Sequence, residues 1–353
     1  MALTAWVQCR RVAKTLGTKQ VLQGLDLTVE RGEILSILGP SGSGKTTLIR
    51  LIAGLADPDA GEIDVAGKTV FAARVNTPIE KRGVGYVFQD YAVWPHMTVA
   101  GNVGFGLGLA GLGRVEREQR VRAALESVAI GELADRFPDQ LSGGQQQRLA
   151  LARTLAMRPE VILLDEPLSN VDAALREHLR LEILQLVRAH GTTAIYITHD
   201  QSEAMALCDR LAVMHGGRLL QAGPPEELYR RPNSPFVASF LGGANALRGV
   251  MDGDAVVAPP FRLHTTCKAP GRAVELVFRP EDAMPETAHP QNRMEGTVIA
   301  CMFLGRCWRV TLQTQGPAFQ LDWPHRVAES TTLAFSVGPD RCALVTPDPE
   351  HSV

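Results

Sequence analysis

The run GPSGSGKT at positions 39–46, directly after the apolar stretch ILSIL at 34–38, constrains this chain more than any other feature. It fits G-x-x-x-x-G-K-[ST] between a buried-strand pattern and a helix expected to open near Lys45, the context in which such a loop holds nucleotide phosphates. Gly42 and Gly44 let the backbone curl so that its amides point inward, and the helix N-terminus adds partial positive charge. Gly39, Pro40, Ser41, Gly42, Ser43, Gly44, Lys45, Thr46 and Thr47 are therefore the candidate phosphate contacts. Lys45 is suited to the β- and γ-phosphates, and the Thr46 hydroxyl to Mg²⁺, the hard cation expected with them. The bland alternative is a Gly-rich turn that binds nothing, and the complete motif between strand and helix disfavours it.

The loop is one of several joints in an alternating pattern. VGYVF (84–88), VILLD (161–165) and TAIYIT (193–198) read, like ILSIL, as short buried strands. Helical stretches separate them, including 172–190 with Leu175, Leu179, Ile183 and Leu186 or Val187 at three- and four-residue steps. This is the rhythm of a parallel sheet covered on both faces. VILLDEP (161–167) then delivers two carboxylates at a strand's C-terminal end, where open α/β sheets bind ligands. Asp165 is expected to hold Mg²⁺, and Glu166 to orient or deprotonate an attacking water. Two solvated charges are the alternative reading. His199, after TAIYIT, reaches the same sheet edge, where an imidazole beside a phosphate site can donate to the γ-phosphate; a His there taken alone is more often structural.

Composition narrows the class. The net charge of −2 provides no electrostatic case for nucleic acid. The six cysteines show no C-x-x-C and are expected to be reduced thiols. The N-terminal MALTAWVQCRRVAK lacks an apolar signal core, so a cytoplasmic location is expected. The uncharged stretch 91–113 contains Pro95, His96, Asn102 and several glycines, which suit a lipid-facing helix poorly. Any membrane contact is expected through a partner.

At 141–148 stands LSGGQQQR, and here the sequence resembles the ATP-binding cassette family. GPSGSGKT, Gln89 in VFQD, LSGGQQQR, VILLDEP, SNVD (169–172) and His199 follow one another in the family's order. The resemblance implies an α/β P-loop NTPase with an inserted helical subdomain at about 90–158, working as an ATPase with ATP and Mg²⁺. It implies a homodimer that sandwiches ATP head to tail, with Leu141, Ser142, Gly143, Gly144 and Gln145 serving the partner's site and Ser169, Asn170 and Asp172 forming the dimer-facing loop. Independently of the family, SGG at a helix start offers a hydroxyl and bare amides to an anion. By resemblance Gln89 contacts Mg²⁺ or water, and the run after it receives a membrane permease. Tyr91, Trp94 and Met97 could form an apolar docking patch there, or belong to the local core. Leu16 occupies the position of the usual adenine-stacking aromatic, with Trp6 a candidate substitute, and Val171 stands where Leu is commoner.

The segment GPPEELYRRPNSP suggests a domain boundary near 235–243, dividing a nucleotide-binding domain at 1–238 from a tail at 239–353. Short runs such as AVELVF, EGTVIACMFLG and RVTLQ predict a small all-β barrel or sandwich. VFRPEDAM (277–284), through Arg279, Pro280 and Glu281, resembles the TOBE-like regulatory tail of importer ATPases. The expected protein is therefore the ATP-hydrolysing subunit of an importer, peripheral to the cytoplasmic face of the inner membrane. It is expected to work with permease subunits and, indirectly, a solute-binding protein. The sequence leans to the ferric-iron, polyamine and phosphonate branch. The competing readings are a soluble cassette ATPase outside transport, an exporter ATPase, and a nucleotide-binding module without turnover.

Overall fold

The computed structural model describes residues 5–169, 173–268 and 273–346. It divides into two compact units, Met1–Ala222 and Gly223–Val353. The first carries β1 (Ala5–Leu16), β2 (Lys19–Glu30), β3 (Ile34–Leu38), α1 (Lys45–Ala53), β4 (Ala60–Val65), β5 (Lys68–Ala72), β6 (Val75–Asn76) and β7 (Val84–Val87). There follow α2 (Val99–Leu109), α3 (Arg114–Ser127), α4 (Gly143–Ala156), β8 (Val161–Asp165), α5 (Ala173–Ala189), β9 (Thr193–Ile197), α6 (Gln201–Leu207), β10 (Arg210–His215) and β11 (Arg218–Gly223).

Two sheets result, one in the order β2-β1-β4-β5-β6 and one in the order β11-β10-β3-β9-β8-β7. In the second, β10, β3, β9, β8 and β7 pair in parallel. Every residue of β3, β8 and β9 is buried, as the unbroken apolar runs predict. Alternation of side chains makes each strand feed two cores. Leu35, Leu163 and Ile195 pack with α1 residues Leu48, Ile49 and Ile52 on one face. Ile34, Ile162, Leu164 and Tyr196 pack with Val103, Leu149 and Ile183 on the other. On α5, Leu179, Ile183 and Val187 are buried as their spacing predicts, while the Leu175 side chain lies outside the described residues. β10 and β11 turn at Gly216 and Gly217, both at positive φ, as a tight hairpin requires.

The stretch between β7 and β8 holds α2, α3 and α4, so the uncharged run 91–113 is an irregular segment followed by α2. Among the described residues no helix is long and apolar enough to cross a membrane. All six cysteines are free thiols.

The second unit opens with α7 (Pro225–Arg230) and α8 (Pro235–Phe240). It continues with β12 (Asn245–Asp252), β13 (Ala255–Ala258), β14 (Phe261–His264), β15 (Ala273–Phe278), β16 (Ala283–Pro285), β17 (Arg293–Phe303), β18 (Trp308–Gln313), β19 (Ala318–Trp323), β20 (Thr332–Val337) and β21 (Ala343–Val345). Two antiparallel sheets, β14-β13-β12-β15-β21 and β16-β20-β17-β18-β19, enclose a core that includes Phe278, Phe319 and Phe335. The Asn245 side chain joins them, donating to the Gln320 carbonyl and accepting from its amide, each at 2.7 Å. The units meet at 222/223, upstream of the 238 read from sequence, and the reason is Arg279. Its guanidinium donates to the carbonyls of Tyr229, Ala238, Leu241 and Gly243, which ties the segment containing α7 and α8 to the start of the 279–282 turn.

Candidate functional site

At the C-terminal end of β3 the chain enters the 39–44 loop with little room to spare. A Cβ on Gly39 would stand 2.2 Å from the Met214 carbonyl of β10, so only glycine fits. Gly44 has φ 101°, and a Cβ there would meet Leu22 at 2.8 Å. Within this loop Lys45 folds back, its Nζ donating to the carbonyls of Gly39 (2.8 Å) and Pro40 (3.1 Å). Burial pushes the Lys45 pKa down, and Glu166 and Asp165 oppose that shift. The Ser43 hydroxyl is buried without a hydrogen-bond partner. Ser41 is exposed on the loop and Thr47 is half-buried on α1.

Asp165 ends β8 facing the first turn of α1. Thr46 Oγ1 donates to its Oδ1 at 3.0 Å, and the Tyr86 hydroxyl of β7 donates to its Oδ2 at 2.7 Å. Burial, reinforced by Asp165, raises the Tyr86 pKa, so the phenol stays a donor. The sequence reading missed Tyr86. Its signal was a hydroxyl inside an otherwise apolar run that reads as a buried strand, and only the structure shows that strand paired with the one carrying Asp165.

The next residue, Glu166, sits at φ 46°, a left-handed conformation that is costly for a residue with a side chain and is concentrated at functional positions. Its amide donates to the Ile197 carbonyl at 3.1 Å. Its Oε2 lies 3.4 Å from Gln89 Nε2 and 3.4 Å from His199 Nδ1. The C-terminal ends of β7, β8 and β9 thus bring Gln89, Glu166 and His199 together, beside the loop opened by β3.

Ser142 caps α4, its hydroxyl accepting from Gln145 N (3.4 Å) while Gln145 Oε1 accepts from Ser142 N (3.0 Å). This capping box leaves the amides of Gly143 and Gly144 without intrahelical acceptors. Leu141 is buried in the core beneath them. Among the described residues, Ser142 and Gln145 make no hydrogen bond to the 39–46 loop. Ser169 N donates to the Glu166 carbonyl at 3.1 Å, and its hydroxyl is buried without a partner; Asn170 and Asp172 lie outside the described residues, as does Val171.

The segment after Gln89 is built inward. Tyr91 is buried in the core, so it is not surface for docking. Arg153 of α4 donates to the carbonyls of Ala92 (2.6 Å) and Tyr91 (2.9 Å) and covers the Trp94 ring at 4.9 Å. The fully buried Asn102 side chain accepts from Trp94 N at 2.8 Å and donates to the Trp94 carbonyl at 3.0 Å. The helix that opens with LSGGQ therefore holds the chain that follows Gln89, a link the sequence reading missed. Met97 and Phe105 line a groove of about 820 Å³ with Val121 and Leu125.

Leu16 stands at the tip of the β1–β2 hairpin and is 53% exposed, a short distance along the chain from the Val21 and Leu22 atoms that crowd Gly44. Trp6 is at the other end of β1, roughly 30 Å away at strand rise. It donates to the Glu160 carbonyl at 3.1 Å and lies under Arg31 at 4.6 Å, so it does not replace an adenine-stacking ring.

A phosphate loop, a strand-end carboxylate pair and a capped glycine-rich helix on one α/β unit define a nucleotide-hydrolysing cassette. The comparisons agree: a family model described as ABC transporter matches residues 22–169. The chain is 41% identical to the Fe(3+) ions import ATP-binding protein FbpC of Pasteurella multocida, over 87% of this chain and 88% of that one. It is 47% identical to the spermidine/putrescine import ATP-binding protein PotA of Trichodesmium erythraeum, over 85% and 82%. Among solved structures, a dimeric ATP-binding cassette in a post-hydrolysis state with ADP and Pi aligns at TM-score 0.55 and 30% identity, covering 62% of this chain and 98% of that one. The chain belongs to the ABC transporter family, as an ATP-binding subunit of the importer type.

Proposed function

We propose that the protein couples ATP hydrolysis in a head-to-tail homodimer to solute uptake through a separate membrane permease. The observation that carries this reading is the Glu166 carboxylate held between Gln89 and His199 beside Lys45 and Asp165. The loop amides of 39–44, Lys45 and Thr47 bind the triphosphate, and the partnerless Ser43 hydroxyl is a further donor to it. Thr46 and Asp165, with Gln89, form an all-oxygen set that fits Mg²⁺, and Tyr86 holds the second Asp165 oxygen in place. The cation, when bound, neutralises charge developing on the phosphates. Glu166 orients the attacking water and takes its proton, and His199 donates to the γ-phosphate. Ser142, Gly143 and Gly144 reach the γ-phosphate held by the partner. Closure follows because ATP bridges the two chains and ADP does not.

The permease docks on the segment after Gln89 and the adjacent groove at Met97 and Phe105, so the dimer sits on the cytoplasmic face of the inner membrane. The unit from 223 onward serves as the TOBE-like regulatory domain. Ferric iron is the proposed solute, supported by similarity to import proteins of that name over nearly nine-tenths of the chain. A polyamine is the second reading, supported by the higher identity to the spermidine/putrescine import protein. The test is ATP-driven uptake in vesicles carrying the chain, its permease and its solute-binding protein. Accumulation of iron but not spermidine is expected, spermidine alone selects the second reading, and uptake of neither removes both solute assignments.

A further inference from the structure

β9 ends at Ile197 and α6 begins at Gln201, so three residues, Thr198, His199 and Asp200, form the link that presents His199. His199 is itself 57% exposed, and its side chain makes a long, 3.4 Å approach to Glu166. What fixes it must therefore act largely through the backbone on either side, and both sides converge on Glu203. This residue, 4% exposed on the first turn of α6, has its carboxylate between two hydroxyl donors, Tyr196 and Thr198 (2.5 Å for the second). Thr198 Oγ1 also accepts from Asp200 N at 3.0 Å, and Asp200 Oδ1 accepts from Glu203 N at 3.0 Å and from Ser202 Oγ at 2.6 Å. The bonds close a ring from Thr198 through Glu203 to Asp200 and back, with His199 as the residue it encloses.

Helix capping does not require this acid, because Asp200 already supplies the N-cap. Burial of a carboxylate is unfavourable unless its oxygens are hydrogen-bonded, and it pushes the Glu203 pKa up while the two hydroxyls pull it back. Arg176 and Arg180 of α5 act electrostatically on Glu203 and Tyr196 respectively. Thr198 and Glu203 are buried with each side-chain oxygen bonded, an arrangement that specifies one geometry.

We propose that Glu203 is a positioning residue for hydrolysis, which sets the direction of His199 by locking Thr198 and Asp200 on either side of it. The proposal rests on the γ-phosphate role of His199 and deepens it. The test compares His199→Ala, Glu203→Gln, Thr198→Val, Thr198→Ser and the double variant His199→Ala/Glu203→Gln in the full-length protein. Each is measured for kcat, KM for ATP and melting temperature.

Loss of aim lowers kcat roughly ten- to a hundredfold in Glu203→Gln and Thr198→Val, with KM little changed. Thr198→Ser, which keeps the hydroxyl, recovers most of the rate, and the double variant is no slower than His199→Ala alone. A lower melting temperature with unchanged kcat overturns the proposal, as does equal loss in the two Thr198 variants, or further loss in the double variant. If His199→Ala itself turns over at the wild-type rate, the γ-phosphate role has failed. If His199→Ala is slow and Glu203→Gln is not, only the positioning role has failed. Should Glu203→Gln not fold, the pair of Thr198 variants decides by the same criterion.

Discussion

Glu166→Gln is expected to lower ATP turnover by roughly a hundred- to ten-thousandfold, the usual range for removing a general base. The substitution keeps the size of the side chain, and its amide can still meet Gln89 and His199, each 3.4 Å from the present carboxylate. What disappears is the proton acceptor and a negative charge close enough to act on Lys45. Bound triphosphate then faces less like-charge repulsion, so ATP is held at least as tightly while hydrolysis stalls. Single-turnover hydrolysis and equilibrium ATP binding on the same preparation check both halves. Turnover within a fewfold of wild type would remove Glu166 from the mechanism.

Arg279→Ala is expected to destabilise the 223–353 unit by about 3 kcal/mol or more, because buried carbonyls left without a donor cost about 1–3 kcal/mol each. Arg279 is 6% exposed, and its guanidinium donates to four backbone carbonyls and lies 4.0 Å over the Tyr229 ring, whose hydroxyl donates to Glu281 at 2.5 Å. Burial lowers the Arg279 pKa, but a guanidinium keeps its charge, so its orientation is permanent. Arg279→Lys recovers little, since an ammonium cannot span acceptors that a planar fork reaches together. Denaturant unfolding followed through Trp308 and Trp323 measures the effect, and a loss below about 1 kcal/mol would mean that water replaces the donor.

These two residues also mark what a sequence reader can and cannot see. Glu166 was legible because its neighbours are local: an unbroken apolar strand, buried on both faces, ends in two carboxylates, and the phosphate loop obeys the same rule on β3. Arg279 was visible only as part of a short resemblance, since its acceptors lie in a segment 36–50 residues upstream that its own spacing does not predict. Tyr86, Arg153, Asn102 and Glu203 were missed for a related reason. Each is a polar group whose role depends on which backbone or carboxylate it meets after the sheet and inserted helices have packed. The unit boundary moved for the same cause, because Pro- and charge-rich composition marks a connection but not which side its helices adhere to. At the tip of the first hairpin, Leu16 is exposed where the resemblance implied an adenine-stacking aromatic, whereas the substitution by Trp6 fails on distance along β1.

If, as proposed, each ATP is hydrolysed between Lys45 of one chain and Ser142 of the other, two inactive variants complement each other when mixed. Lys45→Ala spoils the phosphate loop, and Ser142→Arg spoils the helix start offered to the partner. A mixed dimer retains one intact composite site, so combining the two proteins is predicted to restore ATP hydrolysis well above the sum of the separate preparations. A mixture no more active than that sum, with mixed dimers present, would contradict the shared-site account.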